Sequence, residues 1–398
     1  MTRGRPVNAT WSELGVQLAA HPLAYPVVRA LSRVGPVARV PGFGVMINDA
    51  DLARQVLTDP KTFRTGGDEE GLWTPVFGPS VLVNMDGPEH RTLRRKLAEF
   101  FTPTYVKQLC ADVLDEPVQR LTERLRRGER VDVADGTRVM TGAVTSALVG
   151  LTVTGSALER EAGYRRLAHQ AALITGMAKL GRMGFTPPRL AKARAIADEV
   201  GAATSIAWAA GDENTAVGRM RHFGLSEVEA RGLASAFLIA GTETVSSLVP
   251  RLVALLHDHG VLPTVAKAFR AGDTGPLDAA IDETSRLIAP APFILRNAAM
   301  PGRIGPITVR PGDRVVVSTA NCGKAYGRFD LGRAHPPELR RLWFGAGPHF
   351  CLGYPLAMAE THAIVGALLA QSPLRITGRS PARGVFFPAY QRLEVSRA

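Results

Sequence analysis

The sequence predicts a mainly α-helical protein with a smaller β-rich region. Three observations carry that reading. Stretches rich in Leu, Val, Ala and Arg continue to Ala210, interrupted at Arg127-Gly128, Thr152 to Gly155 and Gly184 to Pro188. Leu233 to Leu256 is the most apolar part of the chain, with helical spacing at its centre. Strand-like runs are confined to about 37–47, 290–319 and 374–398. A length of 398 residues argues by default for two cores, and there is no internal repeat or low-complexity tract to divide them.

Composition narrows the class. With 45% hydrophobic and 21% charged residues, the chain is far from disorder and can bury a large core. Cys110, Cys322 and Cys351 form neither a CxxC pair nor zinc spacing, so no disulfide framework is expected and a reducing cytoplasm fits. Between Met1 and Pro26 the apolar runs are short and broken by Glu13, Gln17, His21 and Pro22, which predicts neither signal peptide nor anchor. The net charge of +12 raises nucleic-acid binding, which would bring steep salt-dependent DNA affinity. The basic residues are spread along the chain without a binding motif or basic tail, so a surface for an acidic protein partner fits better. Leu233 to Leu256 could pass for a membrane span, but Glu243, Pro250 and Arg251 within it argue for a buried core helix.

In chain order, Val37 to Ile47 reads as two short strands around Pro41-Gly42-Phe43-Gly44. A helix follows from about Asp49 to Thr58, capped by Asn48 or Asp49. Pro60 to Val83 is irregular and carries Phe63, Trp73 and Phe77, as binding loops often do. The next helix starts with Asp86 or Gly87 as cap and Pro88 in its first turn. His90 and Arg94 share one of its faces, while Arg91, Arg95 and Lys96 point elsewhere. In the apolar stretch, Phe237, Ala240, Gly241, Thr244 and Leu248 share a face. A buried carboxylate at Glu243 must be paired or functional. Pro250 removes a hydrogen bond and clashes with the Ser246 carbonyl, so it should bend or end this helix. Leu277 to Leu287 forms a helix with Glu283 and Arg286 on one face; as a surface pair these are worth roughly 0 to 1 kcal/mol. Ala289 to Arg296 is extended by its prolines, and strands follow at Ile307 to Val309 and Val315 to Thr319. Leu374 to Val395 has strand-like runs around Val385-Phe386-Phe387-Pro388.

Phe344 to Gly353 carries the chemistry. Three glycines and a proline within this stretch forbid a continuous helix or strand and let the backbone approach something bulky. From Tyr354 to Ala370 the chain turns helical, so Cys351 sits at or just before a helix N-terminus, where dipole and free amides favour a thiolate. Taken alone it would be a buried structural cysteine. The spacing Phe-Gly-x-Gly-x-His-x-Cys-x-Gly changes that, because it resembles the haem-binding loop of the cytochrome P450 family at every fixed position.

The resemblance covers about residues 30 to 398 and rests on four motifs in order. It implies a single domain over 1–398 with the cytochrome P450 fold. Cys351 would be the thiolate ligand of haem b (iron protoporphyrin IX), with His349 a propionate donor, Phe344 covering the sulfur and Gly353 closing the loop. Thiolate ligation favours O–O cleavage. His90 and Arg94 are similar to the family's propionate-binding pair, and Arg296 to a further propionate-binding arginine. Ala240-Gly241-Thr242-Glu243-Thr244 resembles the oxygen-activation motif: Ala240 and Gly241 leave room for the macrocycle, and Thr244 and Glu243 are the catalytic pair. Glu283 and Arg286 look like the structural Glu-x-x-Arg pair, with Arg333 as a candidate third member. Trp73, Phe77, Phe237, Leu238, Phe293, Ile294 and Phe387 would line an apolar pocket, helped by Ala171 to Met183, which implies a hydrophobic natural-product or aromatic substrate. The implied activity inserts one oxygen atom from dioxygen, with electrons from NAD(P)H through an acidic ferredoxin-type partner docking near Arg91, Arg95 and Lys96. A cytoplasmic monomer, without nucleic acid or membrane, is expected. Asn321 to Asp330 departs from the family by being a few residues short. Rival readings are an atypical haem-thiolate enzyme, driven by peroxide or catalysing coupling, desaturation or decarboxylation, and a non-catalytic haem-binding protein.

Overall fold

The computed structural model describes residues 9–66, 72–178 and 184–398. The expected hairpin pairs Val37–Val40 antiparallel with Gly44–Ile47. Gly42, at φ 72°, takes the left-handed turn that its side-chain-free backbone allows. Gly44–Ile47 then pairs in parallel with Arg314–Val317, which runs antiparallel to Ile294–Ala298, and Phe63–Arg64 completes a five-stranded sheet. The third of these strands ends at Val317, and Ser318 caps the short helix Thr319–Lys324 instead of extending it. That helix occupies the segment expected to be shortened. The helix Ala50–Thr58 begins where the Asp49 carboxylate accepts the Leu52 amide at 3.0 Å, as its sequence requires. Its Val56 and Leu57 pack with Val45, Val315 and Val317 into a small core beneath the sheet.

The larger core is helical and centred on Glu227–Asp258, which starts with a capping box between Ser226 and Glu229. This helix packs against Val133–Val149, Ala157–Met177, Pro187–Ala210 and Gly275–Ile288. By length and composition it could cross a membrane, but its most apolar window is 67% buried in the protein. Pro250 does not end it: 32 residues run without a break to Asp258. The lost hydrogen bond is outweighed by packing, because Leu248, Val249, Leu252 and Val253 are buried and the next residue, Arg251, is anchored on several sides.

Gly232 lets the short helix Thr74–Phe77 lie directly on this central helix. A Cβ there would sit 1.8 Å from the Phe77 carbonyl oxygen. Gly232→Ala is therefore expected to lower stability by about 1–3 kcal/mol despite the better helix propensity of alanine. Thermal unfolding followed by circular dichroism would read this as a lowered Tm with unchanged helix content.

At the C-terminal end, Leu374–Pro381 pairs antiparallel with Tyr390–Arg397, and Val131–Asp132 adds a third strand. The connecting loop, 382–389, carries the half-buried Phe386 and Phe387, the former against Trp73. A bond from the Ala382 amide to the Ala389 carbonyl, 2.9 Å, closes its base.

Candidate active site

Cys351 lies between a 3-10 turn, Gly347–His349, and the helix Tyr354–Ala370. Its amide donates to the Phe344 carbonyl at 2.8 Å, which folds the loop back on itself. The Phe344 ring meets Tyr354 edge-on, centroids 4.9 Å apart. Gly345 and Gly347 hold positive φ of 81° and 64°, and a Cβ on Gly347 would lie 2.6 Å from the Leu57 carbonyl oxygen. Gly353 needs no such relief; its amide, with that of Tyr354, is directed at the Cys351 sulfur. The expectation of a thiolate set by the helix terminus alone is corrected here. Burial pushes the Cys351 thiol up, although the two amides and the Arg94 charge pull it down. A metal cation bound to the sulfur would favour the thiolate.

Four basic side chains gather beside the loop. His90 is 1% exposed, its Nε2 has no hydrogen-bond partner among the described residues, and its ring stacks on His349 with centroids 4.1 Å apart. Burial, helped by the charges of His349 and Arg94, lowers the His90 pKa to about 4. Arg94, from the same helix face, donates to the Phe350 carbonyl. Arg296 points inward from the strand Ile294–Ala298, 4% exposed, and donates to the carbonyl of Leu295 at 2.7 Å. Burial lowers its pKa to about 10. Asp86 is the residue that sequence reasoning took only for a cap. Its side chain caps nothing; Oδ2 accepts the amides of Thr65 and Gly66 at 2.9 and 3.0 Å, and Oδ1 meets His349 Nε2 at 3.2 Å. An aspartate just ahead of a proline-started helix looks like a cap in sequence, and only the fold shows what else it holds.

A buried guanidinium bonded to one carbonyl and a buried imidazole nitrogen with no partner are costly unless an anion joins them. A flat group with two carboxylates and a metal that prefers sulfur answers both needs. Haem fits these residues: Cys351 would hold the iron, and His90, Arg94, Arg296 and His349 the propionates.

The central helix supplies the facing wall. Ala240 is exposed in the middle of this otherwise largely buried helix. Gly241 does something other than expected. A Cβ there would lie 2.6 Å from Thr145 Oγ1, so this glycine lets the helix Val133–Val149 pack closely and does not make room for a macrocycle. Thr244 donates its hydroxyl to the Ala240 carbonyl at 2.8 Å, one turn back, leaving its lone pairs free to accept. Glu243 accepts from Thr175 Oγ1 at 3.3 Å. Burial pushes the Glu243 pKa up to about 7 against the pull of Thr175 and Arg138, so it exchanges its proton near neutrality.

Glu283 and Arg286 form a two-point ion pair, 2.7 Å on each side, nearly inaccessible to solvent. Arg333 Nε reaches Glu283 at 3.4 Å, and His335, which the sequence did not single out, reaches it at 3.0 Å. Arg286 also binds the carbonyls of Gly327 and Arg328, tying the loop that leads toward Cys351.

Of the expected pocket residues, Trp73 meets Phe77, Phe185 and Phe386 with centroids 5.9 to 6.0 Å apart. Phe387 touches Phe386, and Phe293 and Ile294 are half-buried at the start of the strand bearing Arg296. Phe237 packs edge-on against Phe101. Leu238 is corrected: at 2% exposure within the main core, it has no surface to offer a small molecule. Phe77, at 6%, is largely spent on packing too. Residues 179–183 of the expected Ala171 to Met183 wall lie outside the described residues.

Residues 276–376 match the family model described as Cytochrome P450. Cytochrome P450 monooxygenase PikC of Streptomyces venezuelae is 28% identical over 407 residues, spanning 97% of this chain and 92% of that protein. Cytochrome P-450 monooxygenase DoxA of Streptomyces sp. (strain C5) is 28% identical over 370 residues, 86% of each chain. Among solved structures, P450BioI in complex with an acyl carrier protein ligated to hexadec-9Z-enoic acid superposes with a TM-score of 0.79 at 20% identity, covering 97% of this chain and all of that one.

Proposed function

We propose that the chain is a haem-thiolate monooxygenase of the cytochrome P450 family and that it inserts one oxygen atom from dioxygen into a hydrophobic small molecule of natural-product or aromatic type. We read residues 1–398 as one domain, working as a cytoplasmic monomer, with electrons passed from NAD(P)H by an acidic ferredoxin-type partner. The observation that carries the reaction class is the buried Cys351 sulfur under two amides, beside a buried His90 nitrogen with no partner among the described residues and a buried Arg296 guanidinium bonded to one carbonyl.

Haem b, when bound, supplies the redox chemistry that activates dioxygen and transfers the oxygen atom. The protein's own groups do the rest. Amides of Gly353 and Tyr354 steady the sulfur, and His90, Arg94, Arg296 and His349 would hold the carboxylates. Glu243, raised to about 7 by burial and bonded to Thr175, is the titratable group on this stretch of the helix that would hold and release a proton near neutrality. The Thr244 hydroxyl, which now donates to the Ala240 carbonyl, keeps its lone pairs free to accept a hydrogen bond. The aromatic group of Trp73, Phe386 and Phe387 supports an apolar substrate. So does a relative from Streptomyces fradiae, 27% identical over 82% of this chain, named 20-oxo-5-O-mycaminosyltylactone 23-monooxygenase. Arg91 and Arg95, exposed on the helix Gly87–Leu97, suit an acidic electron donor.

Thr244→Ala is expected to uncouple turnover. With a surrogate ferredoxin system and any apolar compound that shifts the Soret band, product per NAD(P)H should fall by roughly tenfold or more while hydrogen peroxide accumulates. Coupling that stays at the wild-type level in the variant would remove Thr244 from proton delivery.

A further inference from the structure

The backbone of the loop 382–389 is held by residues that the reaction does not use. Arg251, fully buried on the central helix one position beyond Pro250, donates Nη1 to the Pro388 carbonyl at 3.0 Å and to Ser247 Oγ at 3.0 Å. Ser247 Oγ donates to the same carbonyl at 2.7 Å. The charge on Arg251 is met by Glu13 of the N-terminal helix Ala9–Ala20, through Nε at 3.0 Å and through Nη2. Just past that helix, His21 Nε2 lies 2.9 Å from the Phe386 carbonyl, and the Ala19 carbonyl accepts from the Gly384 amide at 3.2 Å. The loop's backbone is thus gripped at three points, at Gly384, Phe386 and Pro388. The Phe386 ring meets Trp73 edge-on at 6.0 Å, and Phe387 packs on Phe386.

We propose that Glu13, His21 and Arg251 are positioning residues for substrate selectivity, clamping the Phe386–Phe387 loop against the pocket from outside it. The inference rests on the reading above that Phe387 and its neighbour border the substrate space. An apolar wall fixed before the ligand arrives saves the ordering cost of closing it, and the saving grows with the area of ligand that touches the wall. Loosening the clamp therefore penalises large ligands and spares small ones. A buried ion pair is a sensitive place to set such a position, because removing one partner strands the other charge.

The test uses the ferric holoenzyme and two probes read by their Soret shifts, imidazole and 4-phenylimidazole. Glu13→Gln is expected to raise the Kd of 4-phenylimidazole by about threefold to tenfold and that of imidazole by less than about twofold. The reduced carbon monoxide spectrum should be unchanged, and Glu13→Asp should restore most of the loss. In a Phe386→Ala background, Glu13→Gln should add nothing, since the clamp then has no ring to place. Equal losses for both azoles, or full additivity with Phe386→Ala, would overturn the proposal. Should Glu13→Gln fold poorly, His21→Ala, which removes one contact to the loop and leaves the ion pair, carries the same expectations. Failure of the underlying reading shows differently, as a wild-type holoenzyme that takes neither azole, and overturns both.

Discussion

Cys351→Ala is expected to abolish the red-shifted Soret band of the reduced, carbon monoxide-treated protein and with it all monooxygenase turnover. The effect should be complete because no other sulfur can stand in. Cys110 is 7% exposed in the helical core with its thiol pushed to about 12 by burial. Cys322 has no exposed surface, and burial raises it further. Cys351, by contrast, has the amides of Gly353 and Tyr354 aimed at its sulfur and the Arg94 guanidinium nearby. Absorption spectra of wild type, Cys351→Ala and a Cys110→Ala control decide the matter. A red-shifted band that persists in Cys351→Ala, or vanishes in Cys110→Ala, would refute the ligand assignment.

The second large effect is on stability. Glu283→Gln should cost about 3–5 kcal/mol, because it leaves the fully buried Arg286 without its anion. Loss of soluble protein or a steep drop in Tm is the expected result; a variant within about 0.5 kcal/mol of wild type would show the pair to be dispensable. The same carboxylate sets a pH dependence. Burial alone would raise its pKa, but bonds from Arg286, His335 and the Asp330 amide outweigh burial and hold it at about 2. Its folded pKa is thus depressed below the unfolded value of about 4.3. The stability it contributes is present above about pH 4.3 and is lost as pH falls toward 2. Denaturant unfolding across that range should show a slope in wild type that Glu283→Gln lacks.

Motifs whose chemistry is local were legible in the sequence. The Cys351 loop, the His90–Arg94 helix face and the Glu283–Arg286 pair are fixed by spacing along one element, and the structure finds them as spaced. The hairpin at 37–47 and the cap at Asp49 follow from turn and cap chemistry and hold as well. What the sequence could not give depends on partners far along the chain. Gly241 sits in the right motif, yet its missing Cβ serves Thr145, almost a hundred residues earlier. Asp86 was visible as a cap and invisible as the partner of His349. Pro250 reads as a helix breaker by local rules, and tertiary anchoring of its neighbour Arg251 overrides them. Leu238 is apolar like its neighbour Phe237, but one step along the helix turns it to the core.

The parallel pairing of Val45 with Val315 joins strands about 270 residues apart. On the ribosome, the N-terminal hairpin emerges long before its neighbour exists, with one edge open to any passing strand. The strand carrying Arg296 can meet Phe63–Arg64 at once but is joined to the hairpin only when Arg314–Val317 has been made, and Cys351 follows soon after. The anion-binding corner and the sulfur that completes it therefore come together in the last part of synthesis, so chaperone shielding of the early hairpin, more than the strength of the finished core, should govern the yield of folded protein.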